Sequence, residues 1–213
     1  MAVKKKKRPQ PQYDLFYNDK LYSWQATSTA VGNFFEHLTA QLFEGYRVSV
    51  EEEIGNNPDV ETIEGRSLES KGSRRAYWKI TLEQLGRMLN LKGSYYVLWR
   101  YERGGEKALH KQFEDTKELN DFLAANIRSC YVISPKFIRQ LLSGDTYAWG
   151  REGTHGRYVR EADIFRAIEG ELKLKGAKFR SEHHGPLRYL DWTTVPVLVH
   201  YIDDGSEPPV VPF

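Results

Sequence analysis

Two carboxylates and a lysine fall within the stretch Pro58 to Lys71, PDVETIEGRSLESK, and their spacing has chemical consequences. Val60 and Thr62 alternate with Glu61 and Ile63, a turn signal follows at Glu64-Gly65, and Ser67 to Lys71 read as a returning extended run. The pattern predicts a β-hairpin with its turn centred near residue 64. That centre sets Asp59 about opposite Glu69, to within a residue, and directly opposed residues of an antiparallel pair share a face with Cβ atoms ~5 Å apart. Glu69 and Lys71 are two apart and share that face too. Converging carboxylates repel each other unless a cation lies between them. Mg²⁺ suits the position, because it takes one or two carboxylates and completes its shell with waters and phosphate oxygens. A lysine beside the ion can hold an attacking water and stabilise charge on a phosphate in flight. The competing reading is a surface hairpin with a cross-strand salt bridge worth ~0.5 kcal/mol.

The elements that must position these residues are legible around them. Ser28 or Thr29 can cap a helix running to Glu44, with Val31, Phe34, Phe35, Leu38, Leu42 and Phe43 at helical period. Gly32 and Glu36 lie on the flank of that stripe. Tyr46 to Glu53 alternates as a strand, and Gly55-Asn56-Asn57 is a turn before the hairpin. After Lys71, Arg74, Arg75 and Lys79 interleave with Tyr77 and Trp78. This stretch reads either as a loop suited to a phosphate backbone or as a solvent-facing loop anchored by its aromatics. Thr81 caps a second helix with Leu82, Leu85, Met88 and Leu89 as its apolar stripe. After a break at Lys92-Gly93, Ser94 to Tyr101 reads as a buried strand. The order over residues 28 to 102 is helix, three strands, helix, strand.

Pro58-Asp59 at a strand start, followed by Glu69-Ser70-Lys71 on the next strand within an αβββαβ order, resembles the PD-(D/E)XK nuclease superfamily. The resemblance implies an α/β fold with a restriction-endonuclease-like core, a mixed central sheet flanked by helices, and additional C-terminal elements. It implies a Mg²⁺-dependent DNA endonuclease, with Mn²⁺ as a substitute ion, in which Asp59, Glu69 and the Ser70 backbone carbonyl bind metal and Lys71 positions water. Glu36 matches a helix glutamate that faces the metal site through water in that superfamily, or else is a solvated helix residue. The chain departs from the exonuclease branch, where a glutamine on the second helix precedes a tyrosine by four residues. Here Gln84 precedes Met88, so Gln84 is either a DNA contact or simply a good helix former.

A chain of 213 residues with 40% hydrophobic and 28% charged residues fits one packed soluble domain. No apolar run approaches the ~20 residues of a membrane span, and a signal-peptide core is not evident, so a cytoplasmic, intracellular protein is expected. The single cysteine, Cys130, sits in an apolar run and reads as core. Five basic residues of the first twelve account for the net charge of +2; setting them aside leaves 26 basic against 29 acidic residues. Residues 1–12 read as a disordered basic tail, residues 13–144 as the nuclease core, and residues 145–213 as its C-terminal extension. The tail suits nuclear import or nonspecific phosphate affinity equally well.

In the remainder, Thr116 to Ile127 is an expected helix, Cys130 to Ile133 a strand, Pro135 to Ser143 a helix, Glu161 to Leu174 a helix and Val195 to Ile202 a strand. The Gly-rich stretch 145–160, with Arg151 and Arg157, reads as a DNA-contacting loop. The stretch 173–188, with Lys178 and Arg180, is a second basic surface. His183 and His184, adjacent on an extended segment, point apart and make a poor zinc site. The expected partner is double-stranded DNA, cut by a homodimer of type II restriction character, because a double-strand cutter with one site per chain works in pairs. A DNA repair or junction-cutting nuclease is the near alternative. A nucleic-acid-binding module that has lost catalysis is the alternative from another class.

Overall fold

In the computed structural model, which describes residues 24–48, 58–102, 115–143, 156–189 and 193–205, a seven-stranded mixed sheet carries helices on both faces. Helix α1 (Trp24–Leu42) leads into β1 (Gly45–Arg47), β2 (Val60–Thr62) and β3 (Ser67–Ser73), which form an antiparallel meander. Then come β4 (Tyr77–Thr81), α2 (Leu82–Asn90) and β5 (Tyr95–Tyr101), followed by α3 (Thr116–Asn126), β6 (Ile127–Ile133) and α4 (Pro135–Ser143). The chain continues through β7 (Gly156–Arg160), α5 (Glu161–Ile168), β8 (Lys178–Tyr189) and β9 (Thr193–Asp203). The strand order is β1-β2-β3-β5-β6-β9-β8, with β3/β5 and β6/β9 parallel; β4 and β7 form a separate two-stranded ribbon. Among the described residues no helix is long and apolar enough to cross a membrane.

The period-two alternation of the strands divides the interior into two layers. Leu68, Val97, Trp99, Cys130 and Val199 face α1 and α3, where Phe35, Leu38 and Leu123 meet them. Tyr96, Leu98, Tyr131 and Ile202 face the opposite way, toward Met88 of α2, Phe137 of α4 and Ile164 of α5. Strand β5 lies between β3 and β6 and is buried on both faces except at Arg100, which explains its nearly unbroken apolar sequence. Cys130 is fully buried, as its apolar neighbours predict.

Several expected elements are present with altered limits, and three are of a different kind. The capping box at Thr81 forms, with Gln84 on both sides of the exchange. Helix α5 ends at Ile168, short of Leu174, because Gly170 turns the chain at φ +81°. The stretch after Lys71 is no loop: it contains β4, in which Trp78 and Ile80 point inward and Lys79 outward. The described part of 145–160 is strand β7, and the basic stretch beyond Lys178 is the edge strand β8. Over residues 24–101 the order is helix, four strands, helix, strand, one strand more than the expected αβββαβ. Of the Tyr46–Glu53 strand, the described part is β1, through Arg47. The basic tail of residues 1–12, Arg151 and the residues beyond Val48 in that strand lie outside the described residues.

The side of β3 away from the carboxylates is pinned to α1 by close contact. The Trp99 indole donates to Thr39 Oγ1 at 2.8 Å, and Thr39 and Ser70 hydroxyls lie 2.9 Å apart. At Gly72 an added Cβ would overlap the fully buried Phe35 ring. Gly72→Ala is expected to destabilise the protein by ~1–3 kcal/mol in denaturant titration, by overpacking. Trimming the ring in the double variant Gly72→Ala/Phe35→Leu should give a smaller loss than the sum of the two single variants.

Candidate active site

The hairpin register sets the geometry of the site. Val60 pairs with Leu68 and Glu61 with Ser67, and extending that register by one residue brings Asp59 opposite Glu69. The Asp59 carboxylate accepts the Ser70 backbone N–H at 2.8 Å, which locks it against β3. Lys71 Nζ donates to Glu69 Oε1 at 2.7 Å and lies 4.0 Å from Asp59 Oδ2. Both carboxylates thus stand within reach of one ammonium. Ser70, between Glu69 and Lys71 in sequence, turns its hydroxyl to Thr39 on the α1 side.

Glu69 is the most confined of these groups, with a side chain 1% exposed. Its Oε1 also accepts from Gln84 Nε2 at 3.0 Å, and its Oε2 from Arg87 Nη2 at 2.8 Å. Gln84 and Arg87 are three apart on α2 and project from the same helix face onto β3. The Gln84 amide does double service, since its Oε1 accepts the Thr81 backbone N–H while its Nε2 holds Glu69. Among the described residues, two buried polar atoms lack hydrogen-bond partners, Arg87 Nε and Tyr96 Oη, and both residues border Glu69; Tyr96, on β5, is its cross-strand neighbour.

Burial, then the charge of Glu69, pushes the Asp59 carboxyl up to about 7, with Glu36 adding to the effect; Lys71 and the Ser70 amide oppose it. Burial alone would lower the Lys71 ammonium, but Glu69 and Asp59 outweigh it and hold Lys71 above its ordinary value. Two cations, Lys71 and Arg87, thus stand against the two carboxylates. Among the described residues no group of three or more His, Cys, Asp or Glu forms a ready metal cage. Asp59 and Glu69 still offer converging carboxylate oxygens of the kind Mg²⁺ takes, and the ion completes its shell with water and phosphate oxygens.

The remaining predicted residues disperse. Glu36 lies on α1 and pairs with Arg47, whose Nε donates to Glu36 Oε2 at 3.0 Å; it acts on Asp59 and Lys71 through charge alone. Arg74 and exposed Arg75 follow β3, Arg75 donating to the Tyr77 hydroxyl at 3.1 Å, and Lys79 is exposed on β4. Arg157 is spent on the end of α4, donating to the Leu142 carbonyl at 3.0 Å, so its main observed role is structural. Lys178 and Arg180 are too remote to join the site. Arg180 stacks over Tyr201, 4.1 Å from the ring centroid, on the α1 side of the sheet, and Lys178 shares its face. Glu69 and Lys71 occupy the opposite side, four strand steps away in the sheet order. On β8 the alternation sends His184 to the Tyr201 hydroxyl and His183 to the other face.

Gln84 and Arg87 are the participants that sequence reading underestimated or missed. Their signal was the three-residue spacing on a helix capped immediately after β4, but nothing in that spacing reveals that the helix lies over β3. No protein-family model matches the chain, and neither a curated protein nor a solved structure matches it.

Two outcomes follow from these charges. Because the folded-state Asp59 binds its proton up to about 7 and the unfolded one only to the ordinary value of 3.8, its ionisation makes metal-free stability fall as pH rises between those values. Asp59→Asn, which keeps an acceptor for the Ser70 amide, should remove this fall and match or exceed wild-type stability at pH 8 in thermal melts. Arg87→Met should cost ~3–5 kcal/mol at pH 7 in chemical denaturation, since it strips a cation from a buried carboxylate.

Proposed function

We propose that this protein is a Mg²⁺-dependent DNA endonuclease, of type II restriction character, that hydrolyses phosphodiester bonds. The observation that carries the reading is the convergence of Asp59 and Glu69 on the Lys71 ammonium, with Asp59 raised toward neutrality. Mg²⁺, when bound, supplies a Lewis acid for the phosphoryl oxygen and acidifies a bound water. Asp59 and Glu69 would hold it, with the Ser70 carbonyl as a further oxygen donor by resemblance. Lys71, kept protonated by its two carboxylates, has no free lone pair at neutral pH. Its role is therefore to donate hydrogen bonds, orienting the attacking water and neutralising charge on the scissile phosphate. Gln84 and Arg87 fix the carboxylate plane of Glu69. In-line attack would release the 3′ oxygen and leave a 5′-phosphate, by analogy with the superfamily it resembles. Cutting both strands calls for a homodimer.

A second reading has its own observation. Both oxygens of Glu69 are engaged by Lys71, Gln84 and Arg87, as in a structural buried ion cluster. Under that reading the chain is a nucleic-acid-binding module of the same architecture without cleavage.

Incubation of plasmid DNA with Mg²⁺ and sequencing of the ends separates the readings: discrete ends fit a restriction enzyme, structure-dependent ends a repair nuclease, intact DNA the binder. Glu69→Gln and Lys71→Ala should each lower turnover by ~10²–10³-fold. Asp59→Asn should do the same while leaving the Glu69 hydrogen bonds in place, which covers the case of a misfolded Glu69 variant. Without metal, Glu69→Gln should bind DNA as tightly as wild type or more tightly, and Lys71→Ala slightly less. Near-normal cleavage by all three variants would make the hairpin structural.

A further inference from the structure

The seven-stranded sheet ends in two unlike edges. Strand β1 has three residues, whereas β8, at the other end, has twelve, and among the described residues no strand pairs with its outer side. Alternate residues of such an edge turn their N–H and C=O outward, a template for another strand. The side chains alternate as the register dictates. Lys178, Arg180, Glu182 and His184 lie on the face of Tyr201, with Arg180 over its ring and His184 at its hydroxyl. Phe179, Ser181 and His183 lie on the opposite face, where Ser181 meets His200 and Phe179 is 39% exposed. Arg180 and Glu182 are exposed and pair along the strand, Nε to Oε1 at 3.2 Å. The bulge falls between His184 and Leu187, so Lys178 to His184 forms a regular edge.

We infer that this edge is a homodimer interface, in which β8 pairs antiparallel with β8 of a second copy about a two-fold axis through Ser181. A two-fold perpendicular to the sheet keeps each face continuous and makes the same patch meet itself. Centred on Ser181, it sets Arg180 opposite the partner's Glu182 and Glu182 opposite the partner's Arg180, so four charges alternate round the axis. Phe179 then lies against the partner's His183, which covers its exposed ring. Lys178 falls opposite the partner's His184, whose pKa burial lowers, so no cation opposes it at neutral pH. The neighbouring centres oppose like charges: Arg180 to itself, Glu182 to itself, or, centred on Phe179, Lys178 to the partner's Arg180. Centring on His183 draws the bulge into the new ladder. A single register that matches the strand to its own copy is the argument for a second copy as the occupant. The inference is independent of the nuclease reading, which calls for a homodimer without specifying a surface. Strand β3, with the carboxylates, lies four strand steps from β8 and stays clear of the interface.

The test is sedimentation velocity of the full chain without metal over a concentration series, in which wild type should dimerise. Arg180→Glu and Glu182→Arg each turn the attractive cross-strand pairs into repulsive ones and should raise the dimer dissociation constant by ~30-fold or more. Mixed in equal amounts, the two variants should recover the dimer, because one chain then carries two acids and the other two bases at these positions. Circular dichroism melts follow the fold of each variant. Oxidation reads the register independently of the charges. Ser181→Cys, ~5 Å from its copy, should cross-link, and Phe179→Cys, ~13 Å from its copy, should not. Cys130 is fully buried and takes no part. A wild type monomeric throughout, reversals that leave the dimer unchanged, a mixture no tighter than either variant alone, or cross-linking at residue 179 but not at 181 would each overturn the inference. Dimers with the expected response to reversal but no Mg²⁺-dependent cleavage would refute the nuclease reading and support the interface. Mg²⁺-dependent cleavage by a protein whose dimer ignores the reversals would do the opposite.

Discussion

A carboxylate 1% exposed to solvent must be neutralised where it stands, and much of this molecule's central architecture serves that requirement at Glu69. Three residues from two segments contribute: Lys71 from the same strand, and Gln84 and Arg87 from a helix that first has to cross the sheet face. The orientation of α2 is in turn held by the Thr81 capping box, which shares its Gln84 side chain with the carboxylate. Helix start, strand register and buried charge are therefore one coupled unit. Loosening any of them exposes the others to an uncompensated charge.

The parity of β3 separates chemistry from scaffold. Leu68, Ser70 and Gly72 belong to the α1 side, where the Thr39–Ser70–Trp99 hydrogen bonds and the Phe35 contact fix the strand's height. Glu69 and Lys71 belong to the other side, facing α2. A strand so firmly packed on one face presents its opposite residues in fixed positions. The arrangement keeps a buried Asp59, its carboxyl raised to about 7, beside a buried Glu69, a condition that is unfavourable for stability.

The same parity sorts the basic residues. Arg75 and Lys79 emerge on the side of the carboxylates, while Lys178 and Arg180 face away at the far edge of the sheet. Arg157, similar to these in sequence character, is used up at the end of α4. A basic stretch in a sequence does not show which of its cations lie together; only the sheet decides that.

The local patterns were legible because they depend on neighbours in the chain. The hairpin centred near residue 64, the alternation that unites Glu69 with Lys71, the Thr81 cap and the apolar run of β5 all follow from dihedral preference and short-range periodicity. Strand β4 was hidden because its partner, β7, lies about eighty residues further along, and β8 because an edge strand open to solvent carries no apolar alternation. The Arg87–Glu69 contact was hidden for the same reason, since helix spacing shows which residues share a face without showing what the face meets. The sequence by itself determined the short elements and the face shared by the carboxylates and the lysine, through geometry repeating every two or 3.6 residues. The tertiary structure alone decided which charges are buried, who neutralises them and which cations share their side, because those depend on contacts the chain makes only once it is packed.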